Sequence, residues 1–159
     1  MNSLPPTPPL NGNPFSIGYW SLRLRYWAWH NDSFDGPNDI RLFVVYYDPS
    51  EHSVLAHSLG LQQGFLGVVN GFGDEKYHGR NNVVLAHEML HTLGASGKYD
   101  PRTNQALFPE GFAQPGRSPR SPQVMAGRIP QSATKSKMPN SLKQIVIGRT
   151  SAVEIGWVK

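Results

Sequence analysis

The distribution of hydrophobic and polar residues predicts three β-strands in the first half of the chain. The continuous β-branched and aromatic run from Ile40 to Tyr47 predicts a strand buried on both faces. Partial alternation of β-prone residues from Trp20 to Trp29 predicts a strand before it. The glycine-bracketed run from Gly64 to Val69 predicts a third strand, and residues 50–58 could form a short helix between the second and third strands.

The two ends of the chain differ from this pattern. The Pro- and Asn-rich residues 1–19 are predicted to run extended, which leaves residues 20–159 as a single domain. Residues 95–140 hold seven of the fourteen prolines, and so long an irregular segment is typical of a functional or metal-tied loop. Capping-box patterns that start at Ser141 and Ser151 predict two short helices near the C-terminus. The expected fold class is therefore α+β, with a small twisted mixed sheet.

One helix, read as VVLAHEMLHTLG from Val83 to Gly94, carries a chemical motif. His87 and His91 are four residues apart, so both imidazoles project from the same face and could share one metal ion. Glu88 lies beside them, where it could act as a general base toward a water molecule that the metal activates. The structural alternative is an ordinary amphipathic helix with two solvated or core histidines.

Residues on each side of this motif predict where the helix begins and ends. Asn81 and Asn82 offer short side chains that could accept hydrogen bonds from the first free amides of the helix. Gly94 tolerates the positive φ that a helix stop requires. The predicted helix therefore starts after the asparagines and stops at this glycine.

Composition narrows the classes of function. The chain has 159 residues, no cysteine and a net charge of +4, so thiolate metal sites and disulfides are excluded. No run of 18 apolar residues is present, so no membrane span is expected. The N-terminal residues lack the basic start and apolar core of a signal peptide, and no nucleic-acid-binding motif occurs. The chain is expected to act as a monomer, with no nucleic-acid partner.

The HExxHxxG pattern from His87 to Gly94 resembles that of the metzincin clan of zinc metallopeptidases. The resemblance implies a Zn²⁺ cofactor, a peptide or protein substrate whose peptide bonds are hydrolysed with Glu88 as the base, and a zincin-like fold. It also implies a methionine-containing turn beneath the metal, and Met125, 34 residues after His91, fits that turn. In the same way, Gly94 would let the chain turn sharply after the helix.

The chain departs from the clan at the third metal ligand. The clan pattern places histidine or aspartate at residue 97, where this chain has Gly97, which cannot ligate. Asp100 is the nearest candidate, and the stretch GASGKYDP is also similar to the one that follows the zinc helix in immune-inhibitor-A-like peptidases. Glu110 is the alternative ligand, while Asp100 could instead serve as an Asx-turn residue before Pro101.

Two hypotheses about function therefore stand side by side. The first is a zinc-dependent endopeptidase, in which the predicted strand over 64–69 could line the cleft as an edge strand that holds extended substrate. In that enzyme Tyr99 could stabilise an oxyanion. The second is a zinc-binding or protein-interaction module whose catalytic competence has lapsed, in which the metal only ties the long loop to the helix.

Overall fold

The structure of the chain is a computed structural model. This structure describes residues 3–10, 13–31, 36, 39–62, 64–112, 122–132 and 135–159. Within these ranges it is a small mixed α+β fold with three α-helices and two small sheets, which confirms the predicted fold class at that coarse level. The DG and P-N pairs within residues 31–38 predict a turn, and most of that stretch lies outside the described residues. Residues 113–121 and 133–134 of the predicted irregular segment also lie outside them.

The regular elements follow one another along the chain in a simple order. The α-helices are α1 (Pro14–Asn31), α2 (His78–Thr92) and α3 (Arg149–Glu154). The strands are β1 (Arg41–Tyr47), β2 (Leu59–Leu61), β3 (Leu66–Phe72), β4 (Ile129–Pro130) and β5 (Ser136–Lys137). Single turns of 3₁₀ helix cover Glu75–Tyr77, Val124–Ala126 and Leu142–Gln144.

The larger sheet has the order β1-β3-β2, with β1 parallel and β2 antiparallel to the central strand. Strand β3 is central and all seven of its residues are buried, so the strand predicted over 64–69 exists as an ordinary sheet strand, and its interpretation as an exposed edge strand was wrong. The prediction that the run from Ile40 to Tyr47 is buried on both faces was also wrong. The strand exists, but it lies at an edge, and Tyr46 keeps 64% of its surface exposed.

The predicted strand from Trp20 to Trp29 is instead the second half of helix α1, which begins at Pro14. Asn13 caps this helix, because its side-chain oxygen accepts a hydrogen bond from the Phe15 amide at 2.9 Å. Proline then occupies the first helical position, where its missing N–H costs nothing. The helix runs through the predicted boundary between residues 19 and 20, so only residues before Asn13 belong to the irregular N-terminal segment.

Helices α1 and α2 lie on opposite sides of the sheet and bury separate apolar clusters. Leu24 of α1 packs with Val45 and Val68 of the sheet, while Leu90 of α2 packs with Met125 in the other cluster. The N-terminal segment lies against α1, since the indole N–H of Trp20 donates to the Pro6 carbonyl at 2.8 Å. Among the described residues no helix combines the length and apolar character needed to cross a bilayer.

Two shorter predictions need correction. Residues 50–58 form turns and bends rather than a helix, because the Asp48 carboxylate caps the turn by accepting from the Ser50 amide at 2.8 Å. The second capping box was also wrong. Helix α3 begins two residues before Ser151, whose buried hydroxyl donates to the Gln123 side chain. The first capping box is confirmed in part, because the Ser141 hydroxyl caps a 3₁₀ turn by accepting from the Lys143 amide at 3.2 Å. The Gln144 side chain accepts from the Asn140 amide at 2.9 Å and not from the Ser141 amide, so the reciprocal half of the box does not form.

Glycine allows strand β2 to lie directly against helix α2. A Cβ atom added at Gly60 would stand 2.3 Å from the backbone carbonyl oxygen of Glu88. Because that oxygen belongs to the helix backbone, it cannot move aside as a flexible side chain could. The glycine therefore sets how closely the edge strand and the motif-bearing helix approach.

We expect Gly60→Ala to destabilise the protein by about 1–3 kcal/mol, the range for forced overpacking. Urea unfolding monitored by circular dichroism would measure the change. Gly18→Ala is the matched control, since a Cβ atom at that position in α1 meets nothing within 4 Å. There the substitution should stabilise by about 0.5–1 kcal/mol, the helix preference of alanine over glycine. Equal effects at the two positions would contradict the role given to Gly60.

Candidate metal centre

Helix α2 begins one turn earlier than the sequence predicted. Asn81 and Asn82 lie inside it, and the first residue is His78, which follows the 3₁₀ turn. The Asn81 side chain is used elsewhere, because it donates to the Phe72 carbonyl at 2.8 Å and accepts from the Phe72 amide at 3.2 Å. This pair of hydrogen bonds fixes the helix to the end of β3.

The end of helix α2 is as predicted. Gly94 has φ +105°, and its amide donates to the His91 carbonyl at 3.1 Å. The amide of Ala95 donates to the Leu90 carbonyl at 2.9 Å, which completes a Schellman motif. The chain therefore reverses sharply after the helix, and this reversal brings the Ala95 carbonyl back toward the His91 ring.

The two histidines of the motif lie on one face of α2 and point at each other. Nε2 of His87 and Nε2 of His91 are 3.1 Å apart, and the ring planes are inclined by 82°. Two nitrogens that share one tetrahedral zinc ion, with bonds of about 2.0–2.1 Å, would be separated by about 3.3 Å. The observed spacing therefore fits a pair of ligands to one metal ion.

Backbone carbonyls fix which nitrogen of each imidazole carries the proton. Nδ1 of His87 lies 3.0 Å from the carbonyl oxygen of Val124, and Nδ1 of His91 lies 2.8 Å from that of Ala95. A carbonyl oxygen only accepts, so each Nδ1 must be the protonated nitrogen. In the neutral ring, Nε2 then carries a lone pair, which is the form that binds a metal.

Both rings favour the neutral form. Burial and, to a smaller extent, the neighbouring His91 lower the pKa of His87 to about 4, against the opposing effect of the Val124 carbonyl. Burial also lowers the pKa of His91. At neutral pH two lone pairs therefore face each other across 3.1 Å without a proton between them, an arrangement that a cation would stabilise.

Glu88 is buried beside the histidines, with 7% of its surface exposed. One carboxylate oxygen accepts a hydrogen bond from the Gly60 amide at 2.7 Å, at the edge of the sheet. Burial raises the pKa of Glu88 to about 7, and this hydrogen bond opposes the rise only in part. A carboxyl group of that pKa can both accept and return a proton near neutral pH.

The turn that contains Met125 lies beneath the histidines. Met125 is fully buried and packs with Leu90 of α2, and its carbonyl accepts from the Lys98 amide at 2.8 Å. The residue before it, Val124, supplies the carbonyl that holds His87. After the turn, Gly127 has φ +68° and approaches the same ring, since a Cβ atom there would stand 3.9 Å from it. The methionine turn thus supports the first histidine.

The candidate third ligands are not brought to the histidines. Asp100 forms an Asx turn, in which its carboxylate accepts from the Arg102 amide at 2.8 Å, and this hydrogen bond lowers its pKa. Glu110 is exposed, and its backbone carbonyl accepts from the Gln123 side chain. In the described ranges no three His, Asp or Glu side chains form a group that could hold a metal ion. Only His87 and His91 of the predicted ligands come together.

A cleft of about 490 Å³ opens beside this site. Its walls include residues 53–58, which precede β2, and residues 126–128, which follow the methionine turn. His87, Glu88 and Tyr99 all line it. Burial raises the pKa of Tyr99, and the nearby Glu88 raises it further, so the phenol keeps its proton at neutral pH and remains a hydrogen-bond donor.

An ion pair between the buried Lys98 and the more exposed Glu154 holds the segment that leads from α2 to Tyr99. Lys98 is 5% exposed, and its ammonium group donates to Ser96 and to the carboxylate of Glu154 in α3. Burial would raise the pKa of Glu154, but the hydrogen bonds from Lys98 and Ser96 outweigh it and lower that pKa. The segment is therefore fixed to α3 as well as to the methionine turn.

The supporting residues differ in how far a sequence pattern could have predicted them. The density of glycines around the third predicted strand was a usable signal for Gly60, since glycine in a strand often marks close backbone approach. The carbonyls of Val124 and Ala95 carry no signal, because every residue has one. The Lys98–Glu154 pair joins positions 56 residues apart, and no local pattern connects them.

Comparison with known proteins does not add to this picture. No family model, curated protein or solved structure matches the chain. The interpretation of the site is therefore carried by the geometry of the histidines, the glutamate and the turn beneath them.

Proposed function

We propose that this protein is a zinc-dependent peptidase, in which His87 and His91 hold the metal and Glu88 is the general base. One observation carries the proposal: two neutral imidazoles, each oriented by a backbone carbonyl, present their Nε2 lone pairs to each other at 3.1 Å. Carbonyl-oriented histidines are a regular feature of metal sites in proteins. Zinc suits imidazole nitrogen, and cysteine ligands are excluded by composition.

In the proposed hydrolysis, the metal and the side chains of the protein have different roles. Bound zinc would polarise the scissile carbonyl and lower the pKa of a water molecule at the site. Glu88 takes a proton from the attacking water and delivers it to the leaving amine. One of its oxygens is held by the Gly60 amide, which fixes the orientation of the carboxylate and leaves the other oxygen for the water. The Tyr99 hydroxyl donates a hydrogen bond to the carbonyl oxygen and stabilises the negative charge that develops there.

The two histidines leave coordination positions for water and substrate, as a catalytic site requires. Asp100 would have to give up its turn before its carboxylate could join them. The resemblance to metzincins supports the proposal through HExxHxxG and through the buried methionine turn under the first histidine. The metzincin-like fold and the endopeptidase mode of action belong to the same proposal.

A zinc-binding module without catalysis is the second candidate. It is considered because the described residues join two metal ligands, one fewer than catalytic zinc usually has from the protein. A purely structural site would need four, which is further from the observed arrangement. The buried Glu88, whose raised pKa suits proton transfer, favours the enzyme over this module.

Metal removal tests the proposal directly. We expect the zinc-loaded protein to hydrolyse members of a fluorogenic peptide library, to lose this activity with 1,10-phenanthroline, and to regain it with Zn²⁺ but not with Mg²⁺. Metal analysis of each sample provides the control. Hydrolysis that persists in zinc-free protein would contradict the peptidase mechanism, and a zinc-loaded protein that cleaves no peptide would favour the second candidate.

A further inference from the structure

The outer face of helix α1 carries a row of large exposed side chains, which we term the aromatic stripe. Its members are Phe15 (88% exposed), Tyr19 (66%), Leu22 (67%), Tyr26 (64%) and Trp29 (74%). They recur at intervals of four and three residues, so they form one continuous line along the helix. Single exposed apolar residues are ordinary, whereas a contiguous row of them marks an interaction surface.

The aromatic stripe is separate from the protein core. The side of α1 that faces the sheet buries Trp20, Leu24 and Ala28. At 100° per residue, the centre of the stripe lies about 180° around the helix from Leu24. Helix α1 is thus apolar on two opposite sides, and the sheet covers only one of them.

The composition of the stripe favours a lipid surface over a helical partner. Four of its five members are aromatic, and its tyrosines and tryptophan combine an apolar body with a polar tip. Such side chains concentrate at the level of lipid headgroups. A helix that pairs with another helix through the same spacing more often presents Leu, Ile and Val.

The charges of α1 point to an anionic surface. The helix contains no acidic residue, and Arg23 lies beside the stripe. Arg23 is exposed, and its guanidinium lies 6.0 Å from the centre of the Tyr19 ring. An arginine that flanks an apolar face can extend to lipid phosphates while the face enters the headgroup region.

We propose that α1 docks the protein on an anionic membrane surface, with the aromatic stripe inserted at headgroup depth and Arg23 against lipid phosphates. The helix would lie in the plane of the interface and would not cross it. Helix α2 and its histidines lie on the other side of the sheet, so docking leaves the cleft accessible. The proposal stands independently of the catalytic one.

Vesicle sedimentation of the full chain tests this docking. We expect the protein to sediment with phosphatidylcholine vesicles that contain phosphatidylserine, and much less with phosphatidylcholine alone. The double variant Leu22→Ser/Trp29→Ser should lower the partition coefficient at least about tenfold. Arg23→Gln should lower binding to the anionic vesicles by about fivefold.

Trp157→Ser is the matched control, because Trp157 is 65% exposed but lies outside α1. It should sediment like the unaltered protein, and circular dichroism should show that every variant keeps its fold. Binding to neither kind of vesicle would overturn the proposal, and so would equal binding to both. It would also be overturned if sedimentation velocity showed a dimer of the unaltered chain that the double variant cannot form, since the stripe would then pair with a second copy.

Discussion

Replacing His91 with alanine is expected to remove zinc from the protein and to abolish peptide hydrolysis. The variant keeps one imidazole of the pair, and a single neutral nitrogen binds zinc far more weakly than two that converge at 3.1 Å. The substitution also removes the Nδ1–H group that donates a hydrogen bond to the Ala95 carbonyl. Zinc content after dialysis, measured by plasma emission spectroscopy, should fall from one equivalent to background.

The matched control for this loss is His78→Ala, which removes a histidine from the same helix. His78 is exposed at the first turn of α2, and its ring pairs with the Asn82 side chain. The control should keep one equivalent of zinc and full activity. If His91→Ala also retains stoichiometric zinc, the histidine pair is not the metal site.

Replacing Glu88 with glutamine is expected to keep zinc and to reduce hydrolysis by about 10²–10⁴-fold, the range for a lost general base. Glutamine has the same shape, and its amide oxygen can still accept from the Gly60 amide, so the contact with β2 survives. It cannot take a proton from water. Rates with a cleavable peptide, together with zinc content, would separate loss of the base from loss of the metal.

Glu75→Gln provides the control for charge alone, since Glu75 is an exposed carboxylate just before the same helix. Its activity should equal that of the unaltered protein. Unchanged turnover in Glu88→Gln would remove this residue from the mechanism, and a zinc-free Glu88→Gln protein would show that the carboxylate supports the metal site instead.

Sequence patterns predicted elements well where one face of an element is apolar. The motif helix and its glycine stop were predicted correctly, because Gly94 has the positive φ that ends the helix. Helix α1 was mistaken for a strand because it carries apolar side chains on two opposite sides, which hides the helical period. The pair Asn13-Pro14 was the local signal for that helix, as an N-cap followed by proline.

Strand positions within the sheet were harder to predict than the strands themselves. The run from Ile40 to Tyr47 is apolar enough for a central strand, yet it lies at an edge and leaves Tyr46 exposed. Strand order depends on pairing between distant segments, which no local window records. The glycine-rich strand β3 occupies the central position in the sheet, and its small residues let neighbouring elements come close.

Some features of the candidate site could also be predicted from the sequence, and others could not. Helical spacing alone predicted that His87 and His91 share a face. Their tautomers depend on carbonyls 37 and 4 residues further along the chain, which only the folded backbone places. Asp100 was expected to reach the metal, but aspartate before proline forms a local turn more readily than a long-range contact.

Crystals grown with Zn²⁺ and measured at the zinc absorption edge provide the most direct test of the site. We expect one anomalous peak between Nε2 of His87 and Nε2 of His91, about 2.0–2.1 Å from each. The same map would identify every other group bound to the ion. A folded protein with no peak at that position, in the presence of excess zinc, would contradict a metal site at the two histidines.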